Sequence, residues 1–239
     1  MPDARYVLRA EGIGKYFGSL EALKAASVWA EPGRVTTLMG RNGSGKTTLM
    51  RVAVGLLRAD RGGVTFLGEA YEHPRLPVLA RRGLMYLPQS GSLCWGYRVS
   101  DHFDALTRGF GAARIDEAID RCDVAPLLDQ RARELSSGER RRVFIALAYA
   151  RRPAALVADE PLVGLAPGHQ ESLGRLLRDL AAQGTAVVTS GHDAHMLMAI
   201  SDTIIWSAAG TTHYLGSPEE AVAHHQFRRE YLGPLFRLE

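Results

Sequence analysis

Cysteine is nearly absent from this 239-residue chain, which carries only Cys94 and Cys122. Two isolated thiols without ligand-spaced partners exclude a disulfide framework and a zinc site of the usual spacing, and they suit a reducing cytosol. No apolar run approaches the roughly 20 residues of a membrane span, and the N-terminus has no signal-peptide pattern. Lysine is scarce too: Lys15, Lys24 and Lys46 are the only ones among 29 basic residues. The arginine excess has two readings, genomic base composition or an anion-binding surface. Arg140-Arg141-Arg142 and Arg151-Arg152 bracket a helical stretch, where such charges commonly form a solvated face. A formal charge of +3 is too small to argue for a nucleic-acid partner. Internal repeats, low-complexity segments, linkers and heptad runs are also missing. What remains is globular composition, 46% hydrophobic and 23% charged, in a length that suits one core or a core with a subdomain.

Against that background one stretch stands out: Gly40-Arg41-Asn42-Gly43-Ser44-Gly45-Lys46-Thr47. Its glycines let backbone N–H groups turn inward on phosphate oxygens, where a side chain would block them. Lys46 can reach the β- and γ-phosphates of a nucleoside triphosphate, and the Thr47 hydroxyl can join a Mg²⁺ shell. The apolar run 35–39 before the loop reads as a buried strand. Residues 48–57 after it, opened by Thr48, read as a helix whose N-terminus favours anions.

Strand patterns recur at 6–13, 26–30, 64–68, 84–87, 155–158 and 186–190. Helical patterns follow at 138–150, 168–182 and 194–200, and the alternation predicts a parallel sheet. Residues 100–133 read as helical, with Ile115, Ile119, Cys122, Leu127 and Leu128 on an apolar face. Ser217-Pro218-Glu219-Glu220 spells an N-cap, a proline at N1 and a capping box.

Asp159 and Glu160 close an apolar strand, where paired carboxylates are otherwise hard to justify. With a phosphate loop nearby, the Asp can hold Mg²⁺ and the Glu can polarise the attacking water. Gln89, after Tyr86-Leu87-Pro88, can offer its carbonyl oxygen to the metal or the water. His192 follows another buried strand and can hydrogen-bond a γ-phosphate, while a metal pair with His195 is the rival reading. Leu135-Ser136-Ser137-Gly138-Glu139 forms a second nucleotide-reading motif at a helix start. Upstream of the loop, Tyr16 and Phe17 read either as rings stacking on adenine or as strand-end core aromatics.

Taken together, these motifs resemble the ATP-binding cassette ATPases, over nearly the whole chain. The resemblance implies a phosphate-loop NTPase fold of the α/β class: a RecA-like parallel-sheet core with an antiparallel β subdomain and an inserted helical subdomain. It implies a single ATPase domain, with the core at about 1–88 and 152–239 and the helical subdomain at about 89–151. ATP and Mg²⁺ are the implied cofactors. Phe17, Gly40, Arg41, Asn42, Gly43, Ser44, Gly45, Lys46, Thr47 and Thr48 would bind the nucleotide. Ser136, Ser137, Gly138 and Glu139 would contact it from a second chain, since the family places two cassettes head to tail. Lys46, Gln89, Glu160 and His192 would be catalytic, and Thr47, Gln89 and Asp159 would hold the metal. The short interval between Lys46 and Leu135, and a single cassette per chain, point to a transporter's ATPase subunit. Such a subunit works as a homodimer or paired cassette on separate permease chains, at the cytoplasmic face of the inner membrane. The alternative is a weakly hydrolysing, nucleotide-gated regulatory subunit. The stretches 135–142 and 86–89 and the terminal Tyr231-Leu232-Gly233-Pro234-Leu235-Phe236-Arg237-Leu238 resemble the lipopolysaccharide-export ATPases and the branched-chain amino-acid importers, the tail pointing towards the lipopolysaccharide type. Leu93, Cys94, Trp95 and Tyr97 read either as a permease groove or as core packing. Two positions depart from the family pattern: Ala166, where the D-loop usually ends in Asp, and Ser137, where the signature usually has Gly.

Overall fold

The computed structural model describes residues 5–90, 93–111 and 114–238. In chain order the first elements are β1 (Leu8–Phe17), β2 (Leu20–Ala30), β3 (Val35–Met39), α1 (Lys46–Ala53), β4 (Arg61–Phe66), β5 (Glu69–Tyr71), α2 (Leu76–Arg81) and β6 (Leu84–Leu87). Then come α3 (Val99–Phe110), α4 (Ile115–Arg121) and α5 (Ser137–Arg151). The second half runs β7 (Ala155–Ala158), α6 (Pro167–Ala182), β8 (Ala186–Gly191), α7 (Ala194–Ile200), β9 (Thr203–Ala208), β10 (Thr211–Gly216) and α8 (Pro218–Ala223). A turn at His225–Phe227 leads into a π-type turn at Arg228–Leu232.

A six-stranded sheet, ordered β10-β9-β3-β8-β7-β6, forms the centre. Its strands are parallel except β10, which pairs antiparallel to β9. Side chains alternate across a strand with period two, and both faces here are covered. Met39, Leu156, Ala158, Val187, Ile204 and Trp206 face one core, shared with α5, α6 and α7. Their neighbours Leu38, Ala155, Val157, Ala186, Val188 and Ile205 face the other, shared with α1 and with Leu8, Ala10 and Ile13 of β1. That second core joins the large sheet to a four-stranded antiparallel sheet, ordered β2-β1-β4-β5.

Helix α5 is buried from Val143 to Ala150. Each large apolar side chain in that run contributes roughly 1.5–3 kcal/mol of burial. It packs on α3, α4 and α6, so the helical stretch is anchored to the sheet by the same element that begins with the signature residues.

Several expectations change. β1 and β2 extend to a tight turn at Gly18, beyond the expected 6–13 and 26–30. α1 stops at Ala53, because Gly55 takes a left-handed conformation with φ 77°. The expected helical stretch 100–133 is divided: α3 ends on Gly111 at φ 70°, Ala112 and Ala113 lie outside the described residues, and α4 stops before Cys122. Strands β9 and β10 were not expected at all. They form a hairpin across Ala209 and Gly210, both at positive φ (46° and 80°), the geometry that matches the twist of paired strands.

Candidate active site

Four strand ends converge at the carboxyl edge of the parallel sheet, where ligands of open α/β sheets bind. Adjacent in the sheet, β3 leads into loop 40–45, β8 into His192, β7 into Asp159 and Glu160, and β6 into Pro88 and Gln89. Gly45 caps α1 at φ 103°, and a Cβ there would lie 2.6 Å from the Leu23 side chain. Gly40 is as constrained, since a Cβ would stand 2.3 Å from the Ser207 carbonyl oxygen. The loop thus needs glycine for its own backbone path, and it delivers backbone amides to the start of α1.

Lys46 is buried, with Nζ donating to the carbonyls of Gly40 (2.8 Å) and Arg41 (3.1 Å). Burial holds its pKa below the ordinary lysine value, against the pull of Glu160 and Asp159. The Glu160 carboxylate lies 3.9 Å from Nζ. A desolvated ammonium folded onto carbonyls is set to gain from an incoming anion.

The carboxylates are equally well held. Asp159 Oδ1 accepts from Ser190 Oγ at 2.8 Å and from Thr47 Oγ1 at 3.2 Å. Ser190 Oγ in turn accepts the Glu160 backbone N–H at 3.0 Å. Glu160 sits at φ 49°, a left-handed conformation uncommon for a side chain of its size. Its Oε2 accepts from Gln89 Nε2 at 2.8 Å. Asp159 Oδ2 is buried with no protein partner among the described residues.

These groups border a cavity of about 620 Å³, lined by Phe17, Asn42, Gly43, Gly45, Lys46, Thr47, Thr48, Gln89 and Glu160. The volume suits a nucleotide-sized ligand. Phe17 is 48% exposed and has Lys15 Nζ 5.7 Å from its ring centroid. Tyr16 does not line the cavity; its hydroxyl donates to Glu21 at 2.5 Å.

Other expected residues lie apart. Ser136, Ser137, Gly138 and Glu139 do not line the cavity. They open α5, where Ser136 Oγ accepts the Glu139 N–H and Glu139 Oε2 accepts the Ser136 N–H, a capping box. His192 is exposed and borders a separate cleft of about 410 Å³ with Arg41, Asn42 and Tyr231. His195 packs against Phe236, with ring centroids 4.2 Å apart and planes tilted by 31°. Among the described residues no cluster of three or more His, Cys, Asp or Glu is arranged to hold a metal.

Sequence reasoning overlooked three contacts. Ser190 bridges the two strand-end residues, and its only signal was a hydroxyl in an apolar strand. Tyr231 Oη donates to the His192 carbonyl at 3.0 Å, and burial pushes its phenol up to about 12. Arg41 Nη2 donates to the Glu230 carbonyl at 2.7 Å, tying the phosphate loop to the same C-terminal turn.

Amides at a helix start, a buried lysine and a strand-end carboxylate pair on the carboxyl edge of a parallel sheet define a phosphate-loop nucleoside triphosphatase. The family model described as ABC transporter matches residues 23–163, and the chain belongs to that family. It is 30% identical over 239 residues to the lipopolysaccharide export system ATP-binding protein LptB of Haemophilus influenzae, covering 97% of this chain and 99% of the relative. It is 34% identical over 233 residues to the zinc import ATP-binding protein ZnuC of Halorhodospira halophila, covering 95% and 85%. Among solved structures, a nucleotide-free ATP-binding cassette from an ABC transporter superposes with a TM-score of 0.83 at 25% identity, covering 95% of this chain and 99% of that one. The protein is the ATP-binding subunit of a transporter, and an ATPase. Among the described residues no helix is long and apolar enough to cross a membrane.

Proposed function

We propose that this subunit hydrolyses ATP at the interface of two chains set head to tail, each ATP held between one phosphate loop and the partner's residues 136–139. One observation carries the reading: the cavity that gathers Lys46, Thr47, Gln89 and Glu160 excludes Ser136–Gly138, which open a helix toward solvent. Gly138 supports it, since within its own chain a Cβ would meet nothing closer than 3.4 Å. Its own fold does not demand glycine there, whereas close approach by a partner's phosphate would.

In this reading the amides of loop 40–45 and Lys46 bind the phosphates, with Thr48 beside them and Phe17 under the base. Mg²⁺ would be held by the Thr47 hydroxyl, by Asp159, whose Oδ2 has no hydrogen-bond partner among the described residues, and by the amide oxygen of Gln89. Three such oxygen donors plus phosphates and water would suit that ion, which would supply charge neutralisation at the phosphates. Glu160 orients and deprotonates the attacking water, and His192, exposed at the end of the adjacent strand outside the cavity, turns in to hold the γ-phosphate once nucleotide is bound. Domain organisation follows the same scheme, with about 89–151 as a helical subdomain on a single ATPase core. Trp95 (58% exposed) and Tyr97 (61%) support docking of a permease at the cytoplasmic membrane face, while Leu93 is buried in the core. Relatives named for zinc and for lipopolysaccharide match this chain to similar degrees, so cargo choice belongs to the membrane chains.

Purified protein with Mg-ATP should release phosphate, and Lys46→Ala and Glu160→Gln should each abolish release. Undiminished turnover in Glu160→Gln would overturn its catalytic role. A second reading, a weakly hydrolysing regulatory cassette, is favoured by Ala166, which leaves the N-cap of α6 without an acceptor side chain. A sharp rise in turnover on Ala166→Asp with Ser137→Gly would select that reading.

A further inference from the structure

Arg141 stands one helical turn beyond Ser137 in α5, and its guanidinium leaves the helix. Nη1 donates to the Val163 carbonyl at 2.6 Å. Val163 lies in loop 161–166, directly downstream of Glu160, and its own N–H donates to the Glu160 carbonyl at 3.3 Å. Burial holds the Arg141 pKa below the usual guanidinium value, with Arg140 acting the same way and Glu160 opposing both. Half-burying a guanidinium on a neutral carbonyl is a poor way to gain stability, because desolvation offsets much of the bond.

Leu162 roots the start of this loop in the core and Leu165 packs against it, but the stretch between them has few polar ties among the described residues. Ala166 begins α6 without a side-chain cap. Gln170 Nε2 donates to the Leu162 carbonyl at 3.2 Å, but it comes from α6, the helix that the loop itself starts. Arg141 restrains the loop from α5, the helix that carries the signature residues.

We propose that Arg141 is a positioning residue that couples the two ATP sites, carrying engagement of Ser136–Gly138 with the partner's nucleotide to the loop beside its own chain's Glu160. This rests on the head-to-tail reading above. The path is short: one turn of α5, one hydrogen bond, and the loop from Val163 back to Glu160. Drawing the start of α5 toward a phosphate shifts the guanidinium, and the Val163 carbonyl follows it. The arrangement gives this chain a link between sites that does not need an acidic side chain at position 166.

The test uses the full chain as Arg141→Gln and Arg141→Lys. Three readouts are needed: urea unfolding, affinity of the monomer for a fluorescent ATP analogue, and the ATP dependence of steady-state hydrolysis. Arg141→Gln should keep monomer affinity within about twofold, lower kcat about 2- to 30-fold and drop the Hill coefficient toward about 1. Arg141→Lys should recover part of both, since one donor can still reach the carbonyl. Adding Ala166→Asp to Arg141→Gln should also recover cooperativity by capping α6. Unchanged kcat and Hill coefficient in Arg141→Gln, beside a cooperative wild type, would overturn the proposal alone. So would activity lost only in step with unfolding, with cooperativity intact. A wild type that stays monomeric and non-cooperative with ATP would overturn the head-to-tail reading and this proposal with it.

Discussion

Ser190 holds two functional groups with one hydroxyl, donating to Asp159 and accepting from the Glu160 backbone, and it is fully buried. Ser190→Ala therefore strips a donor from a buried carboxylate and orphans a buried N–H. We expect a loss of roughly 1–3 kcal/mol in urea unfolding, as for other buried groups left unsatisfied. Turnover should fall further than stability, because Glu160 sits in a left-handed conformation that the Ser190 bond helps to hold. A variant with wild-type kcat would show that the conformation is held by other contacts. This residue also marks the limit of what was legible. Lys46, Thr47, Asp159, Glu160 and Gln89 could be read because each follows a strand in a motif of fixed spacing, and the structure brings all five to one place. The contacts of Ser190, Tyr231 and Arg41 could not, although Arg41 itself was read as part of the loop, since each joins residues distant in the chain.

Helix starts offer a sharper comparison, because α5 and α8 carry the same device. Ser136 with Glu139, and Ser217 with Glu220, each form a complete capping box. Ser136→Ala and Ser217→Ala should each cost about 0.5–2 kcal/mol of stability. Only Ser136→Ala should also depress hydrolysis, so any excess loss over Ser217→Ala measures contact with nucleotide rather than capping. Equal effects on turnover would reduce the role of Ser136 to capping. Acid adds a second check. Bonds from Ser136 hold the Glu139 carboxyl below its usual pKa. Its contribution to stability is thus present above the unfolded value of about 4.3 and is lost as pH falls through the lower folded value. At this scale the sequence was readable where one local rule dominated, as in the α8 box. The β9–β10 hairpin escaped notice because its turn, Ala209-Gly210, lacks the Asn or Asp that usually announces one, although the β-branched run from Thr203 was a usable signal. The stretch 100–133 was overextended because apolar periodicity continued past Gly111, where the backbone turns left-handed.

Across the whole molecule, the separation of signature and phosphate loop makes the single chain an incomplete enzyme in the proposed reading, and this has an arithmetical consequence. A Lys46→Ala chain disables the loop half of every site it contributes to; a Ser136→Arg chain disables the signature half. Each homodimer is then inactive at both sites. In a mixed pair both lesions fall in one site, leaving the other with an intact loop from one chain and an intact signature from its partner. Head-to-tail contacts require this result, whereas a site completed within one chain forbids it. With random exchange half the dimers are mixed, each with one of two sites intact, so mixing two inactive proteins should recover up to about a quarter of wild-type turnover. Coupling between sites through Arg141 would lower that ceiling, and comparing the mixture made with and without Arg141→Gln would reveal by how much. Phosphate release from the mixture, beside none from either component, is the measurement. Silence from a mixture in which cross-linking proves that mixed dimers form would overturn the shared-site arrangement and return the signature residues to a role within their own chain.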